Sequence, residues 1–346
     1  MKRIFIFTII LLSNNLLVKA NIDSEASKMF FYNNEFGVIV IEGNDIMLTN
    51  DGCNSWTTIK INTQEKLRKV FFSSIDVGWI IGDSTIYKSL DGGHTWSKNI
   101  TFERTYLHTL YFTNENKGFV GGEIVNEQGV DNLLYKTDNG GNSWDKANVD
   151  SVLGNGTSDF SFFQDSLGIA VGYNTLYKSY DSGMNWNKLP INFYVGSFSP
   201  GRVQMIDANN ILLFGGSPHV VWDGEILMSN DSGLSWETYG NGQIFVWGIN
   251  DYFAYNMDSV WVTNGEKIFI TTNKGINWKT MDIRIEEFSF ISNNRAYGLS
   301  ENSILYTENG WESYSIVDSV LVGLEQNEEI KYIYKLYQNY PNPFNP

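Results

Sequence analysis

Ser89-Leu-Asp-Gly-Gly-His-Thr-Trp96 decides how the rest of the chain reads. The same eight-residue pattern returns as Ser179-Tyr-Asp-Ser-Gly-Met-Asn-Trp186 and Ser229-Asn-Asp-Ser-Gly-Leu-Ser-Trp236. Looser copies run from Thr49 to Trp56, with Cys53 in place of the glycine, and from Thr137 to Trp144 and Thr271 to Trp278, with Asn139 and Asn273 in place of the aspartate. A seventh, Thr307 to Tyr314, has Asn309 for the aspartate, Trp311 for the glycine and Tyr314 for the tryptophan. Successive final aromatics lie about 36 to 50 residues apart, the length of one propeller blade or one solenoid unit.

Each position has a physical task. Asp51, Asp91, Asp181 and Asp231, with Asn139 and Asn273, can bond backbone N–H groups a few residues on and so close a tight turn. Gly93, Gly141, Gly183, Gly233 and Gly275 tolerate positive φ. Trp56, Trp96, Trp144, Trp186, Trp236 and Trp278 offer large plates to bury against a neighbouring hairpin, each with an N–H that seeks a partner. A short apolar run precedes each turn, as in Ile86-Tyr-Lys and Ile268-Phe-Ile. The unit is therefore strand, turn, strand.

The pattern Ser/Thr-x-Asp-x-Gly-x-Thr/Ser-Trp resembles the Asp-box, or bacterial neuraminidase repeat, of sialidases, sortilin-type receptors, xyloglucan hydrolases and the photosystem II assembly-factor propellers. Seven copies in register imply a β-propeller. In those families the box is a structural turn away from the active site, so the resemblance implies a fold rather than an activity.

Residues 29 to about 318 divide into seven units, each with a Phe/Tyr-rich first run, a glycine-flanked second run, a third strand, the turn and a fourth strand. Gly78-Trp-Ile-Ile-Gly, Gly118-Phe-Val-Gly-Gly and Gly168-Ile-Ala-Val-Gly are second runs. The expectation is an all-β, seven-bladed propeller of four-stranded antiparallel blades, with six or eight blades as alternatives. The second run with a box downstream is most similar to the photosystem II assembly-factor propellers. No separate strand stands out to interlock the first and last blades, though Ile316 to Leu324 or Ile22 to Ser27 could supply one.

The ends carry addresses. Residues 1–20 read as a secretory signal: Lys2-Arg3, the apolar run Ile4 to Leu12, then Val18-Lys-Ala. The propeller would fill 21–320 and a polar linker 321–334. Gln338-Asn-Tyr-Pro-Asn-Pro-Phe-Asn-Pro346 resembles the opening of a type IX secretion C-terminal sorting domain, here 335–346, which ends well short of the family's β-sandwich. That resemblance implies the type IX machinery as a partner and a place outside the cell or on its outer surface. Removing the signal takes away Lys2, Arg3 and Lys19 and moves the formal charge from −15 to −18, which disfavours nucleic acid and anionic membranes. Cys53, the single cysteine, reads as a small buried turn residue.

In such a blade the turns lie on one face, and the loops between second and third strands share the other face with the blade-to-blade connections. Insertions fall on that second face: Glu123 to Asn132 in blade three, Ser217 to Gly224 in blade five, and Phe193 to Arg202 leading into it. Arg68, Arg104, Arg202 and Arg284 all lie in connections leading into a first strand and are expected to cluster at the mouth of the central channel as an anion site. The alternative is that they are solvated and balance Glu103, Glu286 and Glu287. His219, Trp222 and Asp223 could form a stacking and hydrogen-bonding patch for a sugar, or Trp222 could fold back over its blade. His94 reads as an exposed turn residue and His108 as packed within a strand. No histidine-based metal site, catalytic residue or cofactor is indicated. A sialidase-like mechanism lacks its Phe/Tyr-Arg-Ile-Pro motif, and a xyloglucanase-like one needs two carboxylates across a cleft that no local pattern marks. The expected protein is a monomeric, non-enzymatic scaffold for a glycan or protein at the cell surface. A glycoside hydrolase and an envelope assembly factor are the alternatives.

Overall fold

The computed structural model describes residues 28–41, 45–127, 129–149, 155–173, 175–190, 199–216, 223–243, 245–246, 248–300 and 303–318. The expected signal, the segment Ile22 to Ser27 and the tail at 335–346 lie outside the described residues. The described chain contains strands and no helix, and it forms seven separate sheets. Each is built on four consecutive antiparallel strands, so the seven-bladed propeller expected from the repeats is the observed fold. Blade two shows the plan: inner strand Lys69–Phe72, then Gly78–Ile81, Thr85–Ser89 and outer strand Ser97–Thr101. The inner strands of the others are Lys28–Phe31, Thr105–Phe112, Asn155–Phe163, Ser199–Met205, Asp251–Ala254 and Glu287–Phe290.

The second run is buried throughout in blade two, and the outer strand is largely exposed. Trp79, Ile80 and Ile81 have no accessible surface, and each such side chain contributes about 1.5–3 kcal/mol when buried. The core lies between blades: Val38 and Leu48 of blade one pack with Val70, Phe72 and Ile80 of blade two. The glycine that opens the second run follows from the same packing. Gly78 stands opposite Phe72, whose ring lies 2.5 Å from where a Cβ would be. Gly37 with Phe31, Gly118 with Phe112 and Gly168 with Phe162 repeat the arrangement.

The turns close as their composition requires. Asp91 accepts from Thr95 N–H at 2.8 Å and from the Thr95 hydroxyl at 2.6 Å, while Ser89 Oγ accepts from Gly93 N–H at 2.8 Å. The seventh turn keeps this geometry: Asn309 accepts from Ser313 N–H at 3.0 Å, and Trp311 N–H donates to Thr307 Oγ1 at 3.0 Å. Trp311 takes the glycine's positive φ of 70°. Its indole is fully buried over Gly298, while Tyr314, in the tryptophan position, is exposed. Cys53 is likewise buried at positive φ, and His94 is exposed. One expectation needs correction. Trp96 and Trp186 donate to Gly93 O and Gly183 O, but the buried indole N–H groups of Trp56, Trp236 and Trp278 have no protein acceptor. In those blades apolar burial alone holds the ring.

Among the described residues the ring closes without an interlocked strand. The outer strand of blade seven, Ser315–Asp318, is that blade's own fourth strand. The seam to blade one is made by side chains. Glu287 accepts from Met29 N–H at 2.9 Å and Ser289 Oγ from Phe31 N–H at 2.7 Å. Tyr297 stacks on Phe31 at 3.6 Å between centroids, and its hydroxyl donates to Asn34 O at 2.9 Å.

Candidate functional site

The register places one residue of each inner strand at an equivalent height, three positions before the residue that faces Gly37, Gly78, Gly118, Gly168, Ile211, Val260 or Ala296 of the second strand. These are Lys28, Lys69, Thr109, Asp159, Arg202, Asp251 and Glu287. Six of the seven are charged, one per blade, around the central channel. Two residues further on, roughly 7 Å deeper, Phe30, Phe71 and Tyr111 form an aromatic layer, with ring centroids 5.4 and 6.0 Å apart.

The charged ring is bonded from blade to blade. Lys69 Nζ donates to Thr109 Oγ1 at 3.2 Å and lies 4.0 Å from Asp159. Asp159 accepts from Val203 N–H at 3.2 Å and from the Tyr252 hydroxyl at 3.1 Å. Arg202 donates to Asn250 O at 2.8 Å. Asp251 accepts from Phe288 N–H at 2.7 Å, as Glu287 does from Met29. Three carboxylates thus cap backbone amides of the next blade. The Lys28 ammonium acts on the Glu287 and Asp251 carboxyls, and the Arg202 guanidinium is oriented by its bond to Asn250 O.

These charged groups are half-buried. Burial pushes the Glu287 carboxyl up to about 7, against the pull of Lys28. It raises Asp251 too, with Arg202 opposing. Burial pushes Lys69 below the usual lysine range, with Asp159 opposing. Burial alone would lower Arg202, but Asp251 and Asp159 outweigh it and keep the guanidinium charged.

Above the ring, on the face where the inner strands begin, lies a cavity of about 640 Å³. Its charged lining is Lys28, Arg68, Lys69 and Arg202 against Asp159 and Glu287, with His108 on the wall. Backbone at Gly156, Gly201 and Gly215 and the hydroxyls of Ser158 and Ser199 complete much of the surface. In a chain of net charge −15, this lining thus carries four basic side chains against two carboxylates.

Two of the four expected arginines meet there. Arg68 is held in place by a fork onto Asp83, with Nε at 2.8 Å and Nη2 at 2.5 Å. Arg202 sits on the inner strand itself. Arg104 and Arg284 do not join them. The inner strand of blade three is eight residues long, which carries Arg104 out to an exposed turn at φ 55°. Arg284 is captured at 2.8–3.1 Å by Glu266 of blade six. His219 and Trp222 lie outside the described residues, and of Asp223 only the backbone is described, at the start of the third strand of blade five. His108 is not packed as expected: it is exposed on the cavity wall, with Nε2 3.8 Å from Glu123, and burial lowers its pKa against that carboxylate's pull. Sequence reasoning missed Lys28, Lys69, Asp159 and Asp251, and it named Glu287 only as an acid balancing the arginines, which it does for Arg202. A partial signal was there: Lys28, Lys69, Asp251 and Glu287 each precede the last residue of the first strand by three positions, and Asp159 by four.

A family profile described as photosynthesis system II assembly factor YCF48 matches residues 13–307. A search of curated protein sequences finds no match. Among solved structures, YCF48 bound to D1 peptide is similar at TM-score 0.61 and 15% identity, covering 86% of this chain and 98% of that one. An ancestral GH74 enzyme is similar at TM-score 0.67 and 12% identity, covering 86% and 46%. PorZ, described as an essential bacterial surface component of the type-IX secretion system of Porphyromonas gingivalis, is similar at TM-score 0.54 and 13% identity, covering 86% and 38%. At these identities the structures share the fold.

Proposed function

The chain belongs to the photosynthesis system II assembly factor YCF48 family, and on that premise we propose that it is a non-enzymatic scaffold whose channel mouth holds an acidic stretch of a partner polypeptide. The observation that carries this reading is the cavity of about 640 Å³ lined by Lys28, Arg68, Lys69 and Arg202. Guanidinium groups already oriented by Asp83 and Asn250 O suit carboxylates, because little ordering entropy remains to be lost on binding. A solved propeller of similar fold is described as YCF48 with a D1 peptide bound, which supports a polypeptide as the ligand class. The GH74 likeness supports hydrolysis only at the level of fold. Asp159 and Glu287 each accept from a backbone amide of the next blade, which favours a structural role for both. Export through the signal at 1–20 and the type IX-like tail at 335–346 is part of the same proposal, and cell fractionation with an antibody to the propeller checks it.

The test is fluorescence anisotropy of the full chain with a capped, labelled peptide containing three glutamates, against the same peptide with three glutamines. The glutamate peptide should bind at least tenfold tighter at low salt, and added salt should weaken it. Arg202→Gln and Arg68→Gln should each weaken it by roughly tenfold. Equal binding of the two peptides would contradict the reading, as would sugar release from a polysaccharide panel.

A further inference from the structure

Blade three carries an arm that blades one, two and six lack. Their second strands have four residues each. In blade three the second and third strands run nine residues each, Gly118–Asn126 and Gly129–Thr137, paired to the tip through Glu123↔Asn132, Val125↔Val130 and Asn126↔Gly129. The inner strand joins as far as Thr105, opposite Ile124, and Val125 N–H donates to Arg104 O at 2.8 Å. The outer strand stops short and covers only Tyr135 and Lys136. A three-stranded arm therefore projects from the ligand face.

One side of that arm is open and carries Tyr106, Val125 and Val130 around Glu123. Tyr106 stands opposite Glu123, and Val125 opposite Val130. Strand alternation puts all four on the same side. Tyr106 is 47% exposed, Val125 39% and Val130 38%. This surface continues the cavity wall. His108, two residues on from Tyr106, lines the cavity and faces Glu123 at 3.8 Å. Gly156, on the opposite part of the wall, lies against Glu123 as well.

We propose that the Tyr106–Val125–Val130 surface is a second subsite, on which an extended polypeptide lays apolar side chains while an acidic side chain two to four residues away enters the cavity. The inference rests on the acidic-segment reading above and adds a sequence requirement to it. The spacing carries the choice of an extended polypeptide. Tyr106 lies two residues from His108 across the register shift at Gly121/Gly122, and the level of Val125 lies two regular strand residues beyond Tyr106, roughly 7 Å further at 3.3 Å per residue. An extended ligand repeats its own side chains on one face at the same interval, so its acidic residue and the residues two and four positions away on one side of it meet the cavity, Tyr106 and the valine pair in turn. The pattern of side chains agrees: four basic residues line the cavity, and Tyr106, Val125 and Val130 give the arm aromatic and aliphatic surface beside Glu123.

The test uses the full chain and two capped, fluorescein-labelled glycine/serine nonapeptides. Both carry one central glutamate; one adds leucines two and four positions away on each side of it, and the other keeps serines there. The leucine peptide is expected to bind at least tenfold tighter. Val125→Thr with Val130→Thr, which keeps the β-branched strand preference, should erase that difference and leave the serine peptide's affinity unchanged. Arg202→Gln should weaken both peptides. Equal binding of the two peptides, still sensitive to Arg202→Gln, would overturn the second subsite and leave the cavity reading standing. No binding of either peptide would overturn both. A leucine preference that survives the threonine pair would place the apolar contact elsewhere and overturn the assignment to the arm.

Discussion

Glu287 shows how one side chain serves the fold and the site together. It caps Met29 N–H across the seam, faces the cavity, and is pushed up to about 7 by burial. Its folded pKa lies above its unfolded one, so the folded state holds the extra proton between the two values. Stability associated with that proton is fully present at low pH and is lost as pH rises from about 4.5 to 7. Glu287→Gln removes the ionisation and can keep the acceptor. The variant should therefore gain on the parent as pH rises, by about 3 kcal/mol at most, with the gain complete above pH 7. Urea unfolding of both proteins at pH 4.5 and 8 measures it, and a constant difference between the two would contradict the assignment. Arg202 shows the opposite balance: neighbouring acids hold its charge, so its role should not change over the same range.

At the scale of the turn, the seventh copy looks degraded in sequence and is whole in structure. Trp311 occupies the glycine position at φ 70° with its indole wholly buried against Phe288, at 5.7 Å between centroids. Restoring the repeat's glycine by Trp311→Gly would relax the backbone and empty the core. The loss should dominate, at about 3–5 kcal/mol, and thermal unfolding reads it. A neutral or stabilising result would mean that backbone strain outweighs packing there. The turns themselves were legible from the sequence because their hydrogen bonds join residues two to four apart. The Phe-over-Gly packing explains the recurring glycine that the sequence displayed without a reason. The charged ring was not legible in the same way. Its members lie in different blades, one per inner strand, and only strand register brings Lys28, Asp159 and Glu287 to one height. Arg68 and Arg202 were found because arginine is rare in this chain. Arg104 and Arg284 were misplaced because an extended strand and a local carboxylate, neither visible in composition, decide where they point.

For the whole molecule the absence of an interlocked strand among the described residues makes the seam between blades seven and one its distinctive joint. Ser289 Oγ and Glu287 supply acceptors to Phe31 and Met29, and Tyr297 stacks across. Ser289→Ala leaves the Phe31 N–H buried without that acceptor, which should cost about 1–3 kcal/mol. Faster hydrogen exchange should appear at Phe31 and Met29 before it appears at other inner strands. Uniform exchange around the ring would show that the seam is no weaker than the other blade contacts. The same architecture concentrates cations at one mouth of an acidic molecule, and this asymmetry is the central claim about function. Hydrogen–deuterium exchange of the full chain with and without the capped three-glutamate peptide tests it most directly. Protection is predicted at the starts of the inner strands around Lys28, Lys69 and Arg202, with none at the turns bearing Asp91, Asp181 and Asp231. Protection confined to those turns, or none anywhere at saturating peptide, would contradict the account.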